Sequence, residues 1–177
     1  VHTYILRTMS FLIFLDELTL INWNDKVQVE ESFMETIPEP YKKTLEELSF
    51  DAPRQALFLM GVLIGRIGSA QWTPGSKSKP ILNRINYQGM PFSRIKSFSV
   101  DLFENLRYTK NKAGTPLLEY SEVVYSASKA LLDRTEKQWT LSDKENVYYI
   151  LSGYAYETQR IMSHKNEDNI KDIEVTR

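Results

Sequence analysis

Apolar residues recur at three- and four-residue spacing along most of this chain, and that period predicts helices. The first segment runs from about Thr3 to Ile21. A shorter helical pair follows at about Val27–Ile37 and Tyr41–Leu48, interrupted by Pro38 and Pro40, which donate no backbone hydrogen bond. Asp51 and Pro53 form an N-terminal helix signal, after which Ala56, Met60, Leu63, Ile64 and Ile67 make the buried stripe of a helix ending near Trp72. Gly61, Gly65 and Gly68 lie on its other side. Each glycine costs ~1 kcal/mol against alanine in a helix interior, so the set predicts a flat face where another backbone comes close.

Residues 73–80, Thr-Pro-Gly-Ser-Lys-Ser-Lys-Pro, read as an exposed basic loop. The next helix opens near Pro91 and buries Phe92, Ile95, Leu102, Phe103 and Leu106. Past the loop Asn111-Lys112-Ala113-Gly114, Thr115 and Pro116 start a helix over 116–134. In it Leu117, Val124 and Leu131, and likewise Leu118, Tyr125 and Leu132, repeat every seven residues. Ser142-Asp-Lys-Glu145 is a capping box opening a last helix, with Val147, Ile150, Leu151, Tyr154 and Thr158 on one side. After Met162 the pattern is polar and aperiodic, which predicts a frayed tail over 163–177. No alternating strand pattern runs beyond six residues and no internal repeat is visible. The expected fold is all-α: a single helical bundle of about five main helices in one domain spanning 1–162.

Of the 177 residues 42% are hydrophobic and 25% charged, enough apolar material for a continuous core. The net charge of −1 conceals an uneven distribution. Residues 66–112 carry nine Lys/Arg against two Asp/Glu, whereas 1–65 carry five against ten and 113–177 eight against eleven. A block this one-sided points to a polyanionic partner. Tyr4–Ile21 is apolar, but Arg7, Asp16 and Glu17 interrupt it before the ~20 residues a membrane span needs, so a buried amphipathic helix and no membrane association are expected. Cysteine is absent, which excludes disulfides and is compatible with a reducing cytoplasm. Val1 in place of Met suits either a piece of a longer protein or an unusual start codon.

Catalytic patterns are not found. Lys77-Ser78 lacks the glycines of a phosphate-binding loop, and the spacing of Gly61, Gly65 and Gly68 is wrong for a dinucleotide fingerprint. Asp16-Glu17, Glu30-Glu31 and Glu46-Glu47 are adjacent on helices and so diverge, as solvated faces do. His2 and His164 are the only imidazoles, too few for a histidine-rich metal site. No cofactor and no enzymatic activity are expected. The candidate site is instead nucleic-acid binding by Lys77, Lys79, Arg84, Arg94, Lys96, Arg107, Lys110 and Lys112. Lys96 and Arg107 fall about 20° apart around their helix and roughly 16 Å along it, an edge suited to phosphates, and Tyr87 is available to stack on an unpaired base.

Two runs, Phe58-Leu-Met-Gly-Val-Leu-Ile-Gly-Arg-Ile67 and Pro80-Ile-Leu-Asn-Arg-Ile-Asn-Tyr-Gln-Gly-Met90, together with the closing Trp139-Thr-Leu-Ser-Asp-Lys-Glu-Asn-Val-Tyr-Tyr-Ile-Leu-Ser-Gly-Tyr154, carry a resemblance. They are similar to the C-terminal region of the large subunit of type I-B CRISPR surveillance complexes, a region also made separately as a small subunit from an internal translation start. The similar stretches cover roughly residues 50–160. The resemblance implies a cytoplasmic, non-catalytic helical subunit lying along the backbone and large subunits beside another copy of itself, contacting guide RNA and target DNA and helping to hold the opened strands of the R-loop. It transfers no residue list, so the candidate cations rest on charge. Two alternatives stand beside it: a membrane-associated or purely structural helical adaptor that packs through the Gly61/Gly65/Gly68 face and the apolar first helix, and a nucleic-acid-binding regulator outside CRISPR acting as a free dimer.

Overall fold

The structure, a computed structural model, describes residues 37–71, 81–111 and 113–175. The helices expected at 3–21 and 27–37 lie outside these residues, apart from Ile37, as does the loop at 73–80. Where composition points to one domain, the chain divides into two compact units, Val1–Ile37 and Pro38–Arg177, the break falling at the prolines that interrupt the helical pattern. The second unit contains α1 (Glu39–Glu47), α2 (Ala52–Gln71), α3 (Phe92–Tyr108), α4 (Glu122–Thr135) and α5 (Asp143–Val175). Short 3₁₀ turns occupy Leu82–Arg84, Leu117–Tyr120 and Glu136–Gln138. Among the described residues the only extended pairing is an isolated antiparallel bridge between Lys110 and Pro116, so the unit is all-helical.

Local signals account for the helix starts. Asp51 accepts a hydrogen bond from the Arg54 amide at 3.2 Å, satisfying one of the donors that the first turn of α2 leaves open. At α5 the Glu145 carboxylate accepts from the Ser142 amide at 2.8 Å, and the Ser142 hydroxyl accepts the Glu145 amide at 3.4 Å, closing the expected capping box. Gly114, at φ 84°, makes the tight reversal between Lys110 and Pro116 in a conformation that side chains disfavour.

The core forms around α2. The expected stripe is buried, but so is everything from Ala56 to Gly65, together with Ile67 and Gly68. A helix apolar on all sides is a central helix, with neighbours all round it. Its most extensive partner is α5, followed by α4. A Cβ on Gly61 would overlap the carbonyl oxygen of Ile150, and one on Gly153 the carbonyl oxygen of Phe58, so α2 and α5 meet backbone to backbone. On another side Ser128 of α4 donates to the Ala56 carbonyl at 2.9 Å, satisfying two polar groups inside the core. The approach to α3 is pinned by buried Asn146, which donates to the Met90 carbonyl at 2.8 Å and accepts from the Trp139 indole at 3.2 Å.

Two elements depart from the sequence expectation. The helix expected over 116–134 begins as a 3₁₀ turn, and α4 proper starts at Glu122. Arg66 is the reason: it donates to the Tyr120 carbonyl at 2.5 Å and to the Ser121 hydroxyl at 2.9 Å, fixing the chain at the junction. At the other end the polar stretch expected to fray from residue 163 is helical to Val175. Once α5 is nucleated in its packed half, each added residue gains a backbone hydrogen bond at no further nucleation cost, and an apolar stripe is not required.

Candidate nucleic-acid interface

Of the eight candidate cations, Lys77, Lys79 and Lys112 lie outside the described residues. The other five sit on or beside α3, but not on one face. Arg84, exposed on the 3₁₀ turn, stands 3.4 Å from Asp101 of α3. Lys96 reaches across to Glu136 at 2.8 Å. Arg94 is exposed in the first turn of α3, about 160° around the helix from Lys96. Arg107, exposed in the last turn, has its guanidinium 5.5 Å from the centre of the Tyr108 ring. Lys110 is exposed in the segment that pairs with Pro116.

The expected edge of Lys96 and Arg107 is therefore uneven: one cation already faces a carboxylate, the other faces solvent and an aromatic ring. Exposed ion pairs such as Arg84–Asp101 and Lys96–Glu136 contribute roughly 0–1 kcal/mol, so a phosphate competes for these cations at little cost. Tyr87 is 59% exposed, as a base-stacking platform requires. Between Arg84 and the outer face of α3 runs a cleft of about 480 Å³, bounded by Asp101, Glu104, Asn105 and Tyr108. Gln71 lines its inner end, and its side-chain oxygen is buried without a hydrogen-bond partner.

A second cluster of charge lies elsewhere, and no local pattern in the sequence marks it. Glu157, its side chain wholly buried, is the hub. It accepts from Tyr41 Oη at 2.8 Å, from Arg66 Nε at 3.1 Å, and from Arg160 Nε and Nη2 at 2.8 and 2.9 Å. Arg66 also donates to Tyr41 Oη at 2.7 Å, and both guanidiniums lie over the Tyr41 ring. One acid from α5 thus ties α1, α2 and α5 together. Burial acts to raise the Glu157 carboxyl pKa, but the Arg160 hydrogen bonds, the Arg66 charge and the Tyr41 hydroxyl outweigh it and hold the group below the usual carboxylate range. Burial pushes the Tyr41 hydroxyl up, and the hydrogen bonds to Glu157 raise Arg160 further above its already high value. With Glu157 ionised and both arginines charged, the cluster retains one positive charge.

The remaining candidates for chemistry are plainly placed. Glu46 and Glu47 are both exposed at the end of α1. Among the described residues no group of three or more metal-ligating side chains comes together, and no described helix is long and apolar enough to cross a membrane.

An all-helical unit with a cation-bearing outer helix and aromatic side chains at its rim is one of the ways proteins meet nucleic acid. A family model described as "CRISPR-associated protein TM1802 (cas_TM1802) C-terminal domain" matches residues 1–168, and the chain belongs to that family. No curated protein and no solved structure matches it.

Proposed function

We propose that the chain acts as the non-catalytic small subunit of a type I-B CRISPR guide-RNA interference complex, packing along the backbone subunits and helping to hold the DNA strands opened in the R-loop. Membership in a CRISPR-associated family over nearly the whole chain is the observation that carries this reading. Two structural features support its nucleic-acid part. Arg94, Arg107 and Lys110 are exposed, with no acidic partner among the described residues. Arg84 and Lys96 are held only by exposed ion pairs that a phosphate can displace. Of the glycine face that the adaptor alternative offers as a partner surface, Gly61 and Gly65 are covered inside the fold by α5. That weighs against a role in which the glycines receive another protein.

Co-purification of the chain with a guide-RNA complex tests the assembly. Affinity for target DNA against salt, with Lys77/Lys79, Arg84/Arg94 and Lys96/Arg107 changed pairwise to alanine, tests the contact. The expected outcome is stable assembly, reduced affinity for all target sequences alike, and a salt slope lowered by roughly 0.7–0.9 per lost phosphate contact. Full assembly with unaltered affinity and slope in all three double variants rejects nucleic-acid contact by this block. Failure to co-purify rejects the subunit assignment.

A further inference from the structure

A cleft of about 420 Å³ opens beside the Glu157 cluster, between the C-terminal end of α2, the Leu117–Tyr120 turn and α5. Its floor is apolar, formed by Ala70, Leu117 and Ile161, and among the described residues the only acid lining it is Glu157, already saturated by four donors. The other polar side chains described around it carry donors. Arg160, 30% exposed, spends two of its five N–H groups on Glu157, leaving three unassigned. The Asn111 side chain accepts from the Thr115 amide through Oδ1, which leaves its amide nitrogen to donate. Ser69 contributes a hydroxyl at the same wall. Spare donors around a net positive charge call for an acceptor-rich anion, and the apolar floor calls for a flat body attached to it.

Tyr120 supplies the remaining element. Arg66 holds its carbonyl, which fixes the backbone at the mouth of the cleft, while the residue itself is 62% exposed. The exposed cations continue toward this cleft, since Lys110 immediately precedes Asn111 in the chain and Arg107 lies one helical turn before it. We propose that the cleft receives one nucleotide of a single strand, its phosphodiester on Arg160, Ser69 and Asn111 and its base against the Tyr120 ring. This rests on the nucleic-acid reading above and adds to it a site outside the candidate cations. A carboxylate from a protein partner would satisfy the charge but leave the apolar floor and the Tyr120 ring unused.

The test uses the full chain and a short oligothymidylate carrying 4-thiothymidine. Photocrosslinking is expected to mark the peptide that contains Tyr120. Tyr120→Ala should lower affinity roughly tenfold, within the ~5- to 150-fold range of a lost base stack, while Tyr120→Phe keeps it. Because Arg160 also holds Glu157, Arg160→Gln is judged only alongside a melting curve. Tyr120→Ala, at an exposed side chain, keeps the test decisive if Arg160→Gln unfolds. Loss of affinity in an Arg107→Gln/Lys110→Gln variant, with no Tyr120 crosslink and no effect of Tyr120→Ala, overturns the cleft and leaves the broader reading standing. No binding by the unaltered chain overturns the cleft, and the assembly and target-DNA measurements above decide the broader reading. Displacement of a bound fluorescent probe by oligoglutamate but not by oligothymidylate assigns the cleft to a protein carboxylate and overturns the proposal.

Discussion

Replacing Glu157 with glutamine removes the one negative charge that two partly buried arginines share. The carboxylate accepts four hydrogen bonds, three of them from guanidinium groups. Glutamine keeps one carbonyl oxygen but turns an amide donor toward donors, so at least two of those bonds are lost and Arg66 and Arg160 repel each other with no counter-charge. Breaking a buried pair by removing one partner costs ~3–5 kcal/mol. Arg160 is 30% exposed and Arg66 16%, so water recovers part of this, and ~2–4 kcal/mol is expected. The effect depends on pH in a direction fixed by the lowered carboxyl pKa. Between the ordinary glutamate value of ~4.3 and the lower folded value, the unfolded chain binds a proton that the folded chain does not. Stability from Glu157 is therefore complete above ~4.3 and is lost as pH falls through the folded value. Urea denaturation followed by helical circular dichroism, from neutral pH down to ~3, should show the two proteins converging on the acid side. A difference below ~0.5 kcal/mol at neutral pH, or parallel curves across the acid range, would refute the account of Glu157 as the hub.

Three smaller perturbations test the packing. Gly65→Leu places a side chain where even a Cβ would sit 2.9 Å from Glu157 Cβ, so a loss at or above the ~1–3 kcal/mol typical of overpacking is expected by thermal melting. An unchanged melting point removes the close-contact argument. Gly153→Ala, whose new methyl would overlap the Phe58 carbonyl, should be at least as costly by the same measurement although it adds only one carbon. Ser142→Ala breaks the capping box at α5 and should cost ~1 kcal/mol in urea denaturation, with no change in the denaturant slope.

Local signals were readable in the sequence because each depends on neighbours along the chain. The Ser142–Glu145 box, the Asp51 start, the burial of Val124 and Leu131 on α4, and the close-contact reading of Gly61 and Gly65 all describe what the structure contains. What the sequence concealed is partnership between distant segments. Gly153 sits alone among tyrosines, and nothing nearby marks it as the counterpart of Gly61. Glu157 and Arg160 have the spacing of an ordinary surface pair, and only the arrival of Tyr41 and Arg66, 116 and 91 residues away, buries the acid. By position Arg66 falls in the basic block of residues 66–112. Following Gly65 on the central helix, it instead points into the Glu157 cluster. Adjacent charges in sequence can thus serve different ends when the helix between them is surrounded.

That division bears on how strongly the chain should respond to polyanions. The nine cations of residues 66–112 are not equivalent. Arg66 is committed to Glu157, Arg84 and Lys96 face Asp101 and Glu136, and Arg94, Arg107 and Lys110 have no acidic partner among the described residues. A phosphate binding at Lys96 must displace Glu136, and the carboxylate left behind then repels the strand. Neutralising that acid should therefore strengthen binding, the opposite of removing a cation. Glu136→Gln and Asp101→Asn, at exposed sites where the lost ion pairs are worth at most ~1 kcal/mol, are expected to leave melting nearly unchanged. Each is also expected to raise single-strand affinity severalfold at low salt, with the gain fading as the Debye length shortens from ~30 Å at 0.01 M toward ~10 Å at 0.1 M. The measurement is fluorescence anisotropy of a labelled single strand across that salt range. Unchanged affinity in both variants at low salt would show that Arg84 and Lys96 serve the fold and that strand binding, where it occurs, uses other cations.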